Sequence, residues 1–174
     1  MTQNKLVFIG DSLIGYYDWK RRFPQNDVMN LGIPGETVGE LLNRSHRIID
    51  QAGHPDWLII MSGTNNVCME DYTFIPVYET IIHTFREALP DTAIAMNSLM
   101  PIKMPWLSQT AIPRMNSGLN ELAQKTKSEF LDTFQLFTEA QSKEGSPLFL
   151  PDGVHLDERG YTVWSNALAS ILRD

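Results

Sequence analysis

Apolar runs of strand length alternate with stretches of helical period along the whole chain. The runs at 5–9 (KLVFI), 27–31 (DVMNL), 56–62 (DWLIIMS), 92–98 (TAIAMNS) and 129–133 (EFLDT) predict strands. They lack the clean alternation of a half-exposed sheet, as expected of strands covered on both faces. Between them, Val38, Leu41, Leu42, Ser45, Ile48 and Ile49 recur at helical spacing, as do Val77, Ile81, Phe85 and Ala88. Leu119, Leu122 and Ala123 mark a further helix. At the end of the chain Tyr161, Trp164, Leu168, Ile171 and Leu172 form one apolar face, with Asp157 placed to cap that helix. The proline-rich segment 100–106 (MPIKMPW) reads as a surface loop.

This order predicts an α/β protein with a five-stranded parallel sheet between two helical layers. In such sheets ligands bind outside the carboxyl ends of the strands, so chemistry is sought in the residues that follow each strand. No repeat, low-complexity tract or long linker divides the chain, and 1–174 reads as a single domain.

Composition narrows the function classes. With 43% apolar residues over 174 positions, the chain can bury a core without covalent staples. A net charge of -7 argues against a nucleic-acid partner, which requires a basic face. The one cysteine, Cys68, excludes an intrachain disulfide and a cysteine-based zinc site. His46, His54 and His83 have no partners at metal spacing, so neither metal nor cofactor is expected. No run approaches the roughly 20 apolar residues of a membrane span. The first apolar run is too short for a signal-peptide core, and a cytoplasmic location is expected.

Four segments follow strands or precede a helix on the predicted ligand edge, and each has two readings. Ser12, in LVFIGDSLIGYY (6–17), is a helix cap or a nucleophile. Gly35, in NLGIPGET (30–37), serves a turn or offers its N–H to an anion. Asn65, in SGTNNV (62–67), is a turn residue or an amide donor to an oxyanion. In PDGVHLDERGY (151–161), Asp152 precedes His155 by three residues; the pair is incidental, or the carboxylate fixes the imidazole tautomer. Their conjunction on one edge favours the chemical readings.

These blocks resemble the SGNH hydrolases, the GDSL-type esterases and lipases. FIGDSL, NLGIPGET, SGTNN and DGVHLDERGY stand in that family's order and span residues 8–161. The resemblance implies a flavodoxin-like fold and two-step acyl transfer without a cofactor. It makes Ser12 the nucleophile, His155 the general base and acid, and Asp152 the residue that orients it. The Ser12 N–H, the Gly35 N–H and the Asn65 amide would form the oxyanion hole, with Gly32 structural. The family's third block more often reads Gly-x-Asn-Asp, and here Asn66 takes the place of that Asp. The stretch GDSLIGYYDWKRRFP is also similar to the small acetylhydrolases related to platelet-activating-factor acetylhydrolase.

Other chemistries fit less well. Gly10-Asp11-Ser12-Leu13-Ile14 lacks the second glycine of a nucleophile elbow. GDSLIG lacks the Lys-Ser/Thr of a P-loop. Cys68 reads as a small buried hydrophobe rather than a thiol nucleophile. Ile14, Tyr16, Val67 and Trp106 are the candidates for contact with substrate, together with apolar neighbours that include Trp19, Met69, Phe74 and Leu148 to Leu150. The same side chains equally suit a core or a dimer interface. The short chain leaves little room for a lid, so the expected substrates are small or single-chain esters, among them thioesters and lysophospholipids. A carbohydrate deacetylase and a non-catalytic flavodoxin-like binding module are the alternatives, and the oligomeric state is open.

Overall fold

The computed structural model describes residues 3–144 and 148–172. Its strands are β1 (Lys5–Gly10), β2 (Asp27–Gly32), β3 (Trp57–Met61), β4 (Ala93–Asn97) and β5 (Glu129–Leu131). They form one five-stranded sheet in the order β2-β1-β3-β4-β5, with every neighbouring pair parallel. This is the flavodoxin-like order, in which the chain reverses direction between β1 and β3.

The helices are α1 (Ser12–Gly15), α2 (Trp19–Arg22), α3 (Val38–Asn43), α4 (Ser45–Ala52), α5 (Thr64–Cys68), α6 (Ile75–Ala88), α7 (Ala111–Thr126), α8 (Thr133–Glu144) and α9 (Glu158–Ile171). Right-handed crossovers put connections that run in opposite directions along the sheet on opposite faces. Accordingly α3, α4, α6 and α7 pack together on one face. On the other lie α1, α2, α8 and α9; α8 packs against α9, and an aromatic cluster joins α2 to α9. Phe8 stacks on Trp19, Trp19 meets Trp164 edge-on, and Tyr17 stacks on Tyr161. The central strands are apolar on both faces because both are covered; Leu6 to Ile9 and Leu58 to Met61 are all fully buried.

Register decides where the loops begin. Gly10 lies opposite Gly32 on one side and Met61 on the other, so β1, β2 and β3 end level. Gly32 lets α1 (Ser12–Gly15) pack directly against the end of β2, since a Cβ there would sit 2.4 Å from the Gly15 nitrogen.

Three expectations change. The helical period over 38–49 conceals a break at Arg44, which ends α3 and begins α4. Thr133 opens α8 rather than closing the fifth strand. That helix shows only a narrow apolar stripe, with Phe137 buried and Phe134 and Ala140 half-buried, so its period is weak. Finally, 100–106 is more than a surface loop: Met100 and Ile102 are buried, and the Lys103 N–H donates to the Gly153 carbonyl at 2.9 Å.

Candidate active site

Ser12 is the first residue of α1, immediately past the end of β1. Asp11 caps this short helix by accepting from the Leu13 N–H at 3.0 Å. A helix this short cannot hold itself. Its carbonyls are instead tied to the surrounding structure: Tyr161 Oη donates to Leu13 O, and Trp19 Nε1 and Asn30 Nδ2 both donate to Ile14 O, each at 3.0 Å. The Ser12 hydroxyl is thereby presented from a nearly buried residue, 8% exposed.

Ser12 Oγ lies 3.0 Å from His155 Nε2, and His155 Nδ1 lies 2.8 Å from Asp152 Oδ2. The Nδ1–H donates to the carboxylate, which leaves Nε2 to accept from the serine. Asp152 Oδ1 also accepts the backbone N–H groups of Val154 and His155, both at 2.9 Å. Desolvation opposes ionisation of Asp152, but these hydrogen bonds together with the imidazole outweigh it and bring its pKa down to about 2. The turn is braced on two sides, by the Lys103–Gly153 bond and by Leu150 N–H donating to His155 O at 2.7 Å.

Gly35 and Asn65 follow β2 and β3 at the same edge of the sheet as Ser12. Gly35 adopts a φ of +82°, the left-handed region, which explains the glycine on conformational grounds. A Cβ there would meet nothing within 4 Å, so its surroundings are open. The backbone N–H groups of Ser12 and Gly35 have no partner among the described residues. Asn65 Nδ2 commits one hydrogen to Glu36 O at 2.9 Å and keeps a second. Asn66 bridges its neighbours: Oδ1 accepts the Val38 N–H at 2.9 Å and Nδ2 donates to Asp71 at 2.7 Å. An amide suits this position because a carboxylate would face Asp71 with like charge.

Beneath the serine, burial lifts the Asp11 carboxyl to about 6, partly opposed by the Leu13 N–H and the Thr64 hydroxyl. Asp11 Oδ2 and Thr64 Oγ1 nevertheless have no hydrogen-bond partner at ordinary distance. Burial, followed by the Asp11 charge, pushes the Cys68 thiol up, away from the thiolate a nucleophile needs. Among the described residues no three His, Cys, Asp or Glu side chains gather as a metal site.

A serine, an imidazole and a carboxylate in hydrogen-bonded sequence, with unpaired backbone N–H groups on Ser12 and Gly35 at the same sheet edge, are equipped for acyl transfer. Comparison with known proteins agrees. Residues 8–163 match the model of the GDSL-like Lipase/Acylhydrolase family. The chain belongs to this family. Like its relatives, this GDSL-like acylhydrolase is an ester-hydrolysing enzyme. It is 25% identical over 177 residues to the platelet-activating factor acetylhydrolase IB subunit alpha1 of Bos taurus, covering 97% of this chain and 75% of the bovine protein. A Streptococcus pneumonia structure described as a candidate platelet activating factor superposes with a TM-score of 0.84 at 26% identity, over 98% of this chain and 85% of the other. The acetylxylan esterase Axe2 of Geobacillus stearothermophilus shares the fold, with a TM-score of 0.76 at 23% identity over 96% and 93% of the two chains.

The remaining sequence candidates divide. Ile14 and Val67 are fully buried in the core of the acylhydrolase, so neither side chain reaches a substrate; the tightly packed ends of β1 and β3 draw them inward. Trp19, Phe74 and Leu148 are core residues as well. Tyr16 is 66% exposed, with its ring 5.6 Å from the His155 ring. Trp106 is 55% exposed and donates through Nε1 to Cys68 O at 3.2 Å, which leaves it beside α5. Sequence reasoning missed Glu36, Arg44, Asp71 and Lys103, whose partners stand at spacings that no helix or strand period marks, from five residues for Asp71 with Asn66 to fifty for Lys103 with Gly153. For Glu36 alone a local signal existed, its place next to Gly35.

Proposed function

We propose that this acylhydrolase is a serine esterase acting on small acyl esters, acetyl esters foremost, through Ser12, His155 and Asp152. The observation that carries the reading is the unbroken chain of contacts from Ser12 Oγ to His155 Nε2 at 3.0 Å and from His155 Nδ1 to Asp152 at 2.8 Å. His155 Nε2 takes the Ser12 proton as Oγ attacks the ester carbonyl. The tetrahedral oxyanion is met by the Ser12 and Gly35 N–H groups and the second Asn65 amide hydrogen. The imidazolium, stabilised by Asp152, then gives its proton to the departing alkoxide. Water repeats the sequence on the acyl-enzyme and frees the acid and Ser12. Two catalytic variants of Axe2 replace an Asp and a His three positions apart, the spacing of Asp152 and His155.

Two features support short acyl groups. The named relatives include an acetylhydrolase subunit and an acetylxylan esterase. The exposed large apolar side chains Tyr16, Ile33, Met69, Trp106 and Leu150 belong to loops at the carboxyl edge of the sheet, where they offer surface to the alcohol portion of an ester. Hydrolysis of p-nitrophenyl esters from acetate to palmitate tests the reading. We expect the highest kcat/KM at acetate or butyrate and its loss in Ser12→Ala. Equal rates in parent and variant would remove the serine assignment, and a palmitate optimum would remove the short-acyl assignment.

A further inference from the structure

Behind the loop that carries Gly35 lies a charged pair that the acyl-transfer steps do not use. The Glu36 and Arg44 side chains are only 3% and 17% exposed. The contact is two-pronged: Arg44 Nε binds Glu36 Oε1, and Nη2 donates to Oε2 at 2.7 Å. Arg44 Nη2 also donates to the Leu31 carbonyl at 2.8 Å, so one guanidinium holds both ends of the segment 31–36. Burying two charges is costly, and such pairs contribute little net stability compared with apolar side chains of similar volume. Another reason for its presence is therefore needed.

Its connections supply one. The backbone carbonyl of Glu36 receives the Asn65 amide at 2.9 Å, and the Glu36 N–H closes the turn by donating to Ile33 O at 3.1 Å. Gly35, in its left-handed conformation, sits inside that turn. The break between α3 and α4 falls at Arg44 itself. Burial pushes the Glu36 carboxyl up, and the hydrogen bonds and charge of Arg44 oppose it. An unneutralised carboxylate beside the Gly35 N–H would repel a nascent oxyanion.

We infer that Glu36 and Arg44 are positioning residues for the oxyanion hole: the pair locks the 31–36 loop, aims the Gly35 N–H, and orients Asn65 through the Glu36 carbonyl. The inference rests on the esterase reading above. Arg44 is needed as arginine, because a lysine ammonium cannot bind both carboxylate oxygens and the Leu31 carbonyl in one fixed fork.

The test is steady-state hydrolysis of p-nitrophenyl acetate by the parent, Arg44→Met, Arg44→Lys and the charge-neutral pair variant Glu36→Gln/Arg44→Met, each with and without Asn65→Ala. We expect kcat to fall roughly 10²-fold in Arg44→Met, the scale of a misplaced reacting group, with KM within about threefold. Arg44→Lys should recover only a small part. The pair variant removes the stranded charge, so it should melt near the parent and still be slow. In the Asn65→Ala background the Arg44→Met penalty should shrink about tenfold, since both act on one donor set. A folded pair variant with parental kcat, or penalties that simply multiply, would overturn the inference. Should the parent cleave no ester, or Ser12→Ala match it, the esterase reading fails instead. The amide NMR resonances of Gly35 and the Asn65 side chain then decide the clamp: displacement in Arg44→Lys supports it, and unchanged shifts refute it.

Discussion

Asn65 commits one amide hydrogen to Glu36 and keeps one free, so in the proposed mechanism its deletion removes a single oxyanion donor. The expected loss for Asn65→Ala is roughly 10²–10³ in kcat with little change in KM. Asp152 is more consequential, because it sets both the tautomer of His155 and, through two backbone N–H groups, the shape of the turn. Asp152→Asn should lower kcat by about 10⁴, since an amide donor opposite Nδ1 favours the wrong tautomer. The ranking of these two variants on p-nitrophenyl acetate is the check. At this scale the residues proposed to do the chemistry were legible, because each occupies a local motif: Gly-Asp-Ser, Gly-x-x-Gly, Asn-Asn and Asp-x-x-His. Arg44 was not legible, because its meaning lies in partners at Leu31 and Glu36 that no spacing rule connects.

At the scale of elements, α1 is four residues long and depends on neighbours for its position. Tyr161, on α9, reaches across to Leu13 O, and its buried hydroxyl ties the last helix to the helix that carries Ser12, the proposed nucleophile. Tyr161→Phe keeps the ring stacked on Tyr17 and leaves the carbonyl unsatisfied. It should cost about 1–3 kcal/mol of unfolding free energy. Denaturant midpoints at unchanged m-value would measure it, and kcat should drop with stability since Ser12 loses a brace. The long elements were readable because apolar positions recur at a steady period, as in α6, α7 and α9. The short helices α1, α2 and α5 and the break at Arg44 were not, because each is stabilised by contacts from elsewhere in the fold.

For the whole molecule, the consequence of packing so many apolar strand ends around one edge is a buried carboxylate. Asp11 titrates at about 6 rather than 3.8, because burial penalises its charged form. Below about pH 3.8 Asp11 is protonated in both states and its contribution is fully present. As pH rises towards 6 the unfolded chain ionises first and stability falls, by roughly 3 kcal/mol in all. Asp152 acts in the opposite sense: with a folded pKa of about 2, its contribution is full above 3.8 and is lost as pH falls towards 2. Thermal midpoints of the parent and Asp11→Asn between pH 4 and 8 separate the two. The variant should gain on the parent through pH 4–6 and keep a constant lead above that. Parallel curves would show that Asp11 titrates normally.

The sequence by itself determined the five strands, the parallel three-layer architecture and the identity of Ser12, Gly35, Asn65, Asp152 and His155 as candidates. Those features are local: periodicity follows from which faces must be buried, and a turn or cap is written in a few adjacent residues. Only the tertiary structure decided which apolar side chains near the site are core, as Ile14 and Val67 are, and which face solvent, as Tyr16 and Trp106 do. It alone joined Arg44 to Glu36, Asn66 to Asp71 and Lys103 to the Asp152 turn. These distinctions depend on how individual loops turn, as between Asn66 and Asp71, and on register and crossover handedness, which bring distant segments such as those of Lys103 and Gly153 together in ways that residue type and spacing do not encode.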